Sequence, residues 1–153
     1  MRLEVLNTKK IKWISNMLDS QFGIKEKMNY IFLQNPERRI FITNRETAGF
    51  DSNLRANNMG LYFGAIDGSE VRLSIEGSQI VGPHAKKNVV ELNDKGAINW
   101  MKGLDIEKDL EEHGFVIMKH DKDFLGCGRY KNGKILNFTP KERRILKKEV
   151  FIE

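Results

Sequence analysis

The chain has 153 residues, of which 40% are hydrophobic and 31% are charged, and its net charge is +5. This composition is typical of a soluble globular protein, and no stretch has the roughly 20 apolar residues that a membrane span needs. The single cysteine excludes an internal disulfide, and the three histidines, His84, His113 and His120, lack the clustered spacing of a zinc site. Charge interrupts every apolar run near the amino terminus, so we expect a cytoplasmic protein with no membrane partner.

The amino-terminal part of the chain predicts a helix followed by a hairpin. Residues 8–22 carry apolar side chains at helical spacing, with Thr8 as the expected cap and Gly23 as the expected stop. Residues 29–34 and 38–44 are rich in β-branched and aromatic side chains, and a short turn sequence separates them. This pattern favours two antiparallel strands.

A second hairpin is predicted beyond the polar, less regular residues 45–58. Its strands are residues 60–66 and 70–75, and the Asp-Gly-Ser sequence between them is a turn signal. The segment that follows, IEGSQIVGPHA, is only a weak candidate for a helix, because two glycines interrupt it and a proline ends it.

The order of elements restarts after residue 86. Residues 88–92 predict a strand, and residues 93–103 predict a short helix bounded by an asparagine and a glycine. Three further strands are predicted at residues 115–120, 123–130 and 134–138. Short strands joined by tight turns are typical of an antiparallel sheet or a small barrel.

Together these elements predict an α+β protein made of two units. We expect residues 1–86 to form a mixed α/β domain and residues 87–153 to form a small β-barrel domain. Within the second unit, Asn132-Gly133 is the strongest hairpin signal in the chain, because both residue types tolerate positive φ.

Charge is distributed unevenly in the second unit. Residues 119–148 contain ten basic and three acidic side chains, an excess larger than the net charge of the whole chain. Residues 104–113, in contrast, are mainly acidic. The asymmetry indicates one positive face that would attract nucleic-acid phosphates, and the alternative is a charged surface that keeps the protein soluble.

Cys127 lies between two glycines, and two interpretations of it are open. A catalytic thiol needs a nearby base or cation, whereas a free cysteine in a strand commonly behaves as a small buried apolar side chain. Regular strand alternation would place Cys127 on the same face as Leu125, away from Phe124. No phosphate loop, dinucleotide loop, His-Glu-x-x-His pair or nucleophile elbow is present in the sequence.

The end of the chain resembles a known RNA-binding domain. Residues 115–144, FVIMKHDKDFLGCGRYKNGKILNFTPKERR, are similar to the PUA-like domain at the carboxyl terminus of the Nol/Nop/Sun family of rRNA cytosine methyltransferases. The shared pattern is a strand that ends in a lysine, followed by Leu-Gly-x-Gly, Asn-Gly-Lys and Pro-Lys-Glu-x-Arg. These elements correspond here to Lys119 and to residues 125–128, 132–134 and 140–144.

A looser resemblance extends toward the amino terminus. Residues 60–103 are similar to the junction of the pre-PUA and PUA domains in Nip-type ribosome biogenesis factors. Nol/Nop/Sun enzymes also have a large catalytic domain with Pro-Cys and Thr-Cys motifs, and this chain contains neither motif. The resemblance therefore implies a stand-alone binding protein, like archaeal ribosome-associated or rRNA-processing factors, which is not an enzyme and needs no cofactor.

The resemblance also implies where RNA would bind. In PUA domains the groove lies between the first helix and the neighbouring strand, which corresponds here to Lys95, Gly96 and Lys102, with Gly96 allowing close backbone approach. Basic side chains at the domain junction and in the carboxyl-terminal motif are further candidates for phosphate contacts. They are Lys86, Lys87, Arg129, Lys131, Lys134, Lys141, Arg143 and Arg144. Three aromatic residues are candidates either for base stacking or for the core: Tyr62, Phe63 and Trp100.

Three classes of function remain open from the sequence. The first is a module that binds structured rRNA or tRNA in ribosome biogenesis or RNA modification, with ribosome assembly proteins or a methyltransferase acting in trans as further partners. The second is a protein adaptor, and the third is a small thiol-dependent or methyl-transferring enzyme. RNA binding predicts an affinity that falls with salt, with a slope reduced by charge removal at Arg143 and Arg144.

Overall fold

The computed structural model describes residues 2–44, 60–111 and 114–145. These residues form two five-stranded sheets and three α-helices, so the predicted α+β class is confirmed. The irregular stretch expected at residues 45–58 lies outside the described residues. The first sheet has the order β1-β2-β3-β4-β5, and the second has the order β6-β8-β9-β10-β7.

The elements have the following bounds. The strands of the first sheet are β1 (Glu4–Val5), β2 (Ile31–Gln34), β3 (Arg39–Thr43), β4 (Leu61–Asp67) and β5 (Glu70–Leu73). The strands of the second sheet are β6 (Val89–Glu91), β7 (Ile106–Glu107), β8 (Gly114–His120), β9 (Asp123–Lys131) and β10 (Lys134–Asn137). The helices are α1 (Thr8–Phe22), α2 (Ile75–Val81) and α3 (Asp94–Met101), with 3-10 turns at Gly82–His84 and Lys141–Arg143.

Helix α1 confirms the predicted span, but its cap lies one residue before the predicted one. The side chain of Asn7, not of Thr8, accepts the backbone N–H of Lys10 at 2.9 Å. Asparagine is among the best N-cap residues, because its side-chain oxygen satisfies an N–H that the helix leaves free. The helix ends as expected at Gly23, whose φ of 70° is a left-handed conformation that glycine adopts without strain.

Helix α2 is better formed than its glycines suggested. Ser74 caps it by accepting the N–H of Gly77 at 2.9 Å. A Cβ added at Gly77 would lie 2.0 Å from the backbone oxygen of Phe63 on β4. The glycine that weakens the helical signal in the sequence is therefore the residue that lets α2 pack directly on the first sheet.

The second sheet contains the predicted carboxyl-terminal hairpins and one parallel pair. Strand β9 pairs antiparallel with β8 and β10, and Asn132 and Gly133 both have positive φ in the turn before β10. Strand β6, however, runs parallel to β8. The three predicted carboxyl-terminal strands are antiparallel as expected, and β6 adds a parallel pair because helix α3 carries the chain back before β8 begins.

A β-bulge in β9 reverses the side-chain alternation around Cys127. Met118 pairs with Gly126, but the next residue, Lys119, pairs with Phe124, so Leu125 is an extra residue. Cys127 and Phe124 consequently pack in one apolar cluster, while Leu125 packs against the other. The prediction that Cys127 shares the face of Leu125 is wrong for this reason.

The two sheets share part of one core. A cluster built from α1 and the inner face of the first sheet also contains Phe115, Ile117 and Cys127 of the second sheet. A second cluster surrounds Trp100 on the opposite face of β8 and β9. Apolar clusters therefore cover both faces of the second sheet. The predicted division of the chain at residue 86 stays a prediction.

Candidate nucleic-acid interface

The clearest pair of unengaged cations lies at the end of the β9–β10 hairpin. Lys131 and Lys134 are directly opposite each other on either side of the Asn132-Gly133 turn, and both are exposed. Residues opposed in this way project on the same face of a hairpin, so their ammonium groups are held close together. Neither lysine is in an ion pair among the described residues, although Glu107 on β7 is directly opposite Lys134 on its other side. Both side chains of this lysine hairpin are exposed to solvent.

Helix α3 presents a second group of predicted residues. Lys95 and Lys102 are seven positions apart, which places them on the same side of a helix, and Lys95 is exposed. The N–H of Gly96 bonds to the capping side chain of Asn93 at 2.8 Å. The atoms nearest to a Cβ built at Gly96 belong to the side chains of Asn93 and Leu92, at 3.2 Å or more. The expectation that Gly96 allows RNA a close backbone approach stays a prediction.

The predicted arginines are engaged within the molecule. Arg143 Nη2 lies 2.8 Å from Glu76 Oε2 on α2, and this contact lowers the pKa of Glu76 and raises the pKa of Arg143. Arg144 Nε donates to the backbone oxygen of Thr139 at 2.9 Å. Arg129 Nη1 lies 3.8 Å from Asp67 Oδ2, a long contact between two half-exposed groups. Arg143 thus connects the carboxyl-terminal segment to α2, and Arg129 connects β9 to β4 of the first sheet.

The junction lysines differ from one another. Lys86 Nζ lies 3.5 Å from Glu26 Oε1, and its backbone N–H bonds to the oxygen of Phe22 at the end of α1. Lys87 is exposed, as is Lys141 in the 3-10 turn near the end of the described chain. Both lack an ion pair within the part of the chain that the structure describes.

The single concentrated positive face predicted from the sequence is not formed. The amino end of α3 lies beside the β8–β9 turn, because Asp94 Oδ1 is 2.8 Å from His120 Nε2. The lysine hairpin lies at the other end of β9, about 26 Å away at ~3.3 Å per strand residue. Lys119 and Lys122 are close in sequence to the lysine hairpin, but strand β9 separates the two pairs by its full length.

A cleft between the two sheets brings residues named in the sequence analysis together with two arginines that were not. Its volume is about 430 Å³. The first sheet contributes Arg39 from β3, Tyr62 from β4 and Arg72 from β5. The segment after β10 supplies Phe138, Thr139 and Arg143, and Gly126 and Cys127 lie on the floor. We call this the junction cleft. Of the three predicted stacking candidates, only Tyr62 reaches it, since Phe63 and Trp100 are buried in the core.

Strand alternation was the one signal that could have found the two cleft arginines. In RRIFIT and EVRL they alternate with the apolar residues that face the core, so Arg39 and Arg72 had to project from the opposite face. Both arginines are directly opposite Ala65 of β4. Their position in the same cleft therefore depends on the pairing register of β3, β4 and β5.

Cys127 is a buried apolar side chain in this structure. It is 5% exposed, and burial raises the pKa of its thiol to about 12. At neutral pH the reactive thiolate is therefore negligible, which fits the packing interpretation of this residue rather than the nucleophilic one.

Within residues 2–44, 60–111 and 114–145, no group of three or more His, Cys, Asp or Glu side chains is placed to hold a metal ion. None of the helices in these ranges combines the length and the apolar composition of a transmembrane segment.

Comparison with known proteins identifies the second unit. Residues 87–145 match the family model described as the methyltransferase RsmF PUA domain. The carboxyl-terminal unit is therefore PUA-like. The resemblance inferred from its motifs is confirmed, and a PUA domain is an RNA-binding module, so the match indicates RNA binding.

The similarity in fold extends over most of the chain. The crystal structure of hypothetical protein PH0734.1, from the hyperthermophilic archaeon Pyrococcus horikoshii OT3, superposes with a TM-score of 0.56 and 11% sequence identity. The match covers 89% of this chain and 83% of the archaeal one. At this identity the likeness shows a shared fold alone. No curated protein sequence matches the chain significantly.

Proposed function

We propose that this protein holds structured rRNA or tRNA during ribosome biogenesis or RNA modification, and that it carries out no chemistry itself. The observation that carries the proposal is the PUA-like unit at residues 87–145, which presents the exposed lysine hairpin, Lys131 and Lys134, and neither lysine is in an ion pair among the described residues. Phosphate contacts of this kind release counterions and position an RNA without reading its sequence.

The proposal assigns any catalysis to a separate protein acting in trans. The chain has one cysteine, and its thiol is buried with a pKa raised to about 12. A thiol-dependent methyl transfer by this residue would require the core to open, because the nucleophile must be an accessible thiolate. We expect the protein to act in the cytoplasm, with ribosome assembly proteins or an RNA methyltransferase as further partners.

Crosslinking in the protein's own cells tests this function. The attached RNA fragments are sequenced, and the crosslinked peptides are mapped by mass spectrometry. We expect fragments of rRNA or tRNA that share a folded region, joined to peptides from the PUA-like unit. Recovery of no enriched RNA above the level of an unrelated basic protein would contradict the proposal and favour a protein adaptor.

A further inference from the structure

The junction cleft places two arginines on either side of a small residue. Arg39 on β3 and Arg72 on β5 are both directly opposite Ala65 on β4, so all three side chains project on one face of the sheet. Adjacent strands lie about 4.8 Å apart, which separates the two arginine backbones by about 10 Å. The side chain of Ala65 adds only a methyl group between them, and neither arginine is in an ion pair with a carboxylate in the described part of the chain.

An exposed aromatic ring lies beside these arginines. Phe138 is 38% exposed, and the guanidinium carbon of Arg72 lies 5.0 Å from the centre of its ring. Tyr62 lines the same cleft and packs against Phe41 with 5.5 Å between the ring centres. The exposed part of the Phe138 ring offers a flat ligand a surface for stacking.

The acidic residues of the cleft do not cancel its positive charge. Glu76 is held by Arg143 at 2.8 Å, so this pair is neutral as a unit. Glu142 also lines the cleft, but it is exposed to solvent. Among the described residues that line the cleft, Arg39 and Arg72 are the two cations that are in no ion pair.

We propose that the junction cleft binds one unpaired nucleotide of the RNA, with the phosphate between Arg39 and Arg72 and the base stacked on Phe138. This inference rests on the proposed RNA-binding function and adds a specific site to it. Unpaired bases of RNA are bound by stacking on aromatic rings or guanidinium planes, with cations on the backbone. The cleft volume of about 430 Å³ is within the ~300–1,000 Å³ of sites that enclose a small organic ligand, a class to which a mononucleotide belongs.

Trp100 provides an internal reporter for this site. It is 1% exposed, and its indole N–H has no acceptor among the described residues. The ring lies just behind the cleft floor, because a Cβ added at Gly126 would be 3.6 Å from Trp100 Nε1. Trp13, the other tryptophan, lies on α1 and lines a different depression, so Trp13→Phe leaves fluorescence that arises from Trp100 alone.

The experiment compares three RNAs with the Trp13→Phe protein: a blunt-ended duplex, the same duplex with one bulged nucleotide, and the same duplex with an unpaired overhang. Free AMP is the fourth ligand. Affinity is measured by fluorescence anisotropy of labelled RNA, and occupancy of the cleft by Trp100 emission. The variants are Phe138→Ala, Phe138→Leu, Arg72→Gln and Arg39→Gln. Arg38→Gln is the matched control, because Arg38 is exposed next to Arg39 but does not line the cleft.

We expect one of the two RNAs with unpaired nucleotides to bind about 10-fold more tightly than the blunt-ended duplex, which is within the range for one stacked base. That RNA alone changes Trp100 emission. Both substitutions at Phe138, and those at Arg72 and Arg39, remove the preference, whereas Arg38→Gln keeps it. Thermal unfolding of each variant confirms that it is folded.

Equal binding of all three RNAs would overturn the cleft assignment and leave the proposed function intact. The assignment also fails if the cleft variants weaken paired and unpaired RNA alike. AMP binding as tight as the best RNA would show that the site serves a free nucleotide instead. Binding of no RNA at all would overturn the proposed function together with this inference.

Discussion

Gly128→Ala is expected to be the most damaging small substitution in the PUA-like unit. A Cβ at this position would lie 2.6 Å from Ile135 Cγ2, 2.6 Å from Trp100 Cη2 and 2.7 Å from the backbone oxygen of Leu136. Ile135 and Trp100 are 0% and 1% exposed, so neither has space to move away. Overpacking typically costs about 1–3 kcal/mol, and three contacts with rigid neighbours place this change at the upper end, near ~3 kcal/mol.

The assay is equilibrium unfolding in urea, with thermal unfolding as a second measurement. For a chain of this size, ~3 kcal/mol corresponds to a decrease in Tm of about 6–12 °C. Gly133→Ala is the matched control, because Gly133 has a φ of 83° but no atom within 4 Å of an added Cβ. It should cost only the backbone strain of about 1–2 kcal/mol. If Gly128→Ala destabilised the protein no more than Gly133→Ala, the argument from packing at Trp100 would be refuted.

Three other predictions follow from the engaged side chains. Glu76→Gln should lower the free energy of unfolding at pH 7 by no more than about 1 kcal/mol, because the pair with Arg143 is partly exposed. The pair with Arg143 lowers the pKa of Glu76 from its ordinary 4.5. The stabilisation by this pair is therefore present above pH 4.5 and is lost as the pH falls through the lowered pKa, so the stabilities of wild type and variant should converge in acid. Cys127 should resist a thiol reagent at pH 8 in the native protein and react fully in denaturant; rapid native labelling would contradict its burial. Arg144→Gln should change the slope of log affinity against log salt for RNA binding by well under one unit, because Arg144 already donates to the backbone oxygen of Thr139. This is contrary to the expectation from sequence, and a change of a full unit would show that Arg144 contacts phosphate.

Local patterns were enough to predict most of the elements. Helix α1, its glycine stop and the Asn132-Gly133 turn depend on residues that are neighbours in the chain, so periodicity and turn chemistry found them. Strands β1 and β7 have two residues each, which is too short for any periodicity. The cap at Asn7 was missed because Thr8 is also a good capping residue, and only the backbone geometry separates the two.

The candidate site was less predictable because it depends on contacts between distant segments. Arg143 was proposed for RNA from its basic neighbours, but its partner Glu76 lies 67 positions earlier in the chain. Arg39 and Arg72 meet only because three strands pair in the observed register. The bulge at Leu125 likewise changes which face Cys127 occupies, and nothing in the local sequence determines its position.

The salt dependence of RNA binding tests the central claim most directly. The affinity for a structured RNA is measured against salt concentration for the wild type, for Lys131→Gln/Lys134→Gln, and for Lys25→Gln/Lys27→Gln, a control that removes two exposed lysines from the first unit. We expect the logarithm of affinity to fall linearly with the logarithm of salt, with a slope reduced by about 2 in the hairpin variant and unchanged in the control. An affinity that is independent of salt, or equal slopes for all three proteins, would contradict RNA binding by the lysine hairpin.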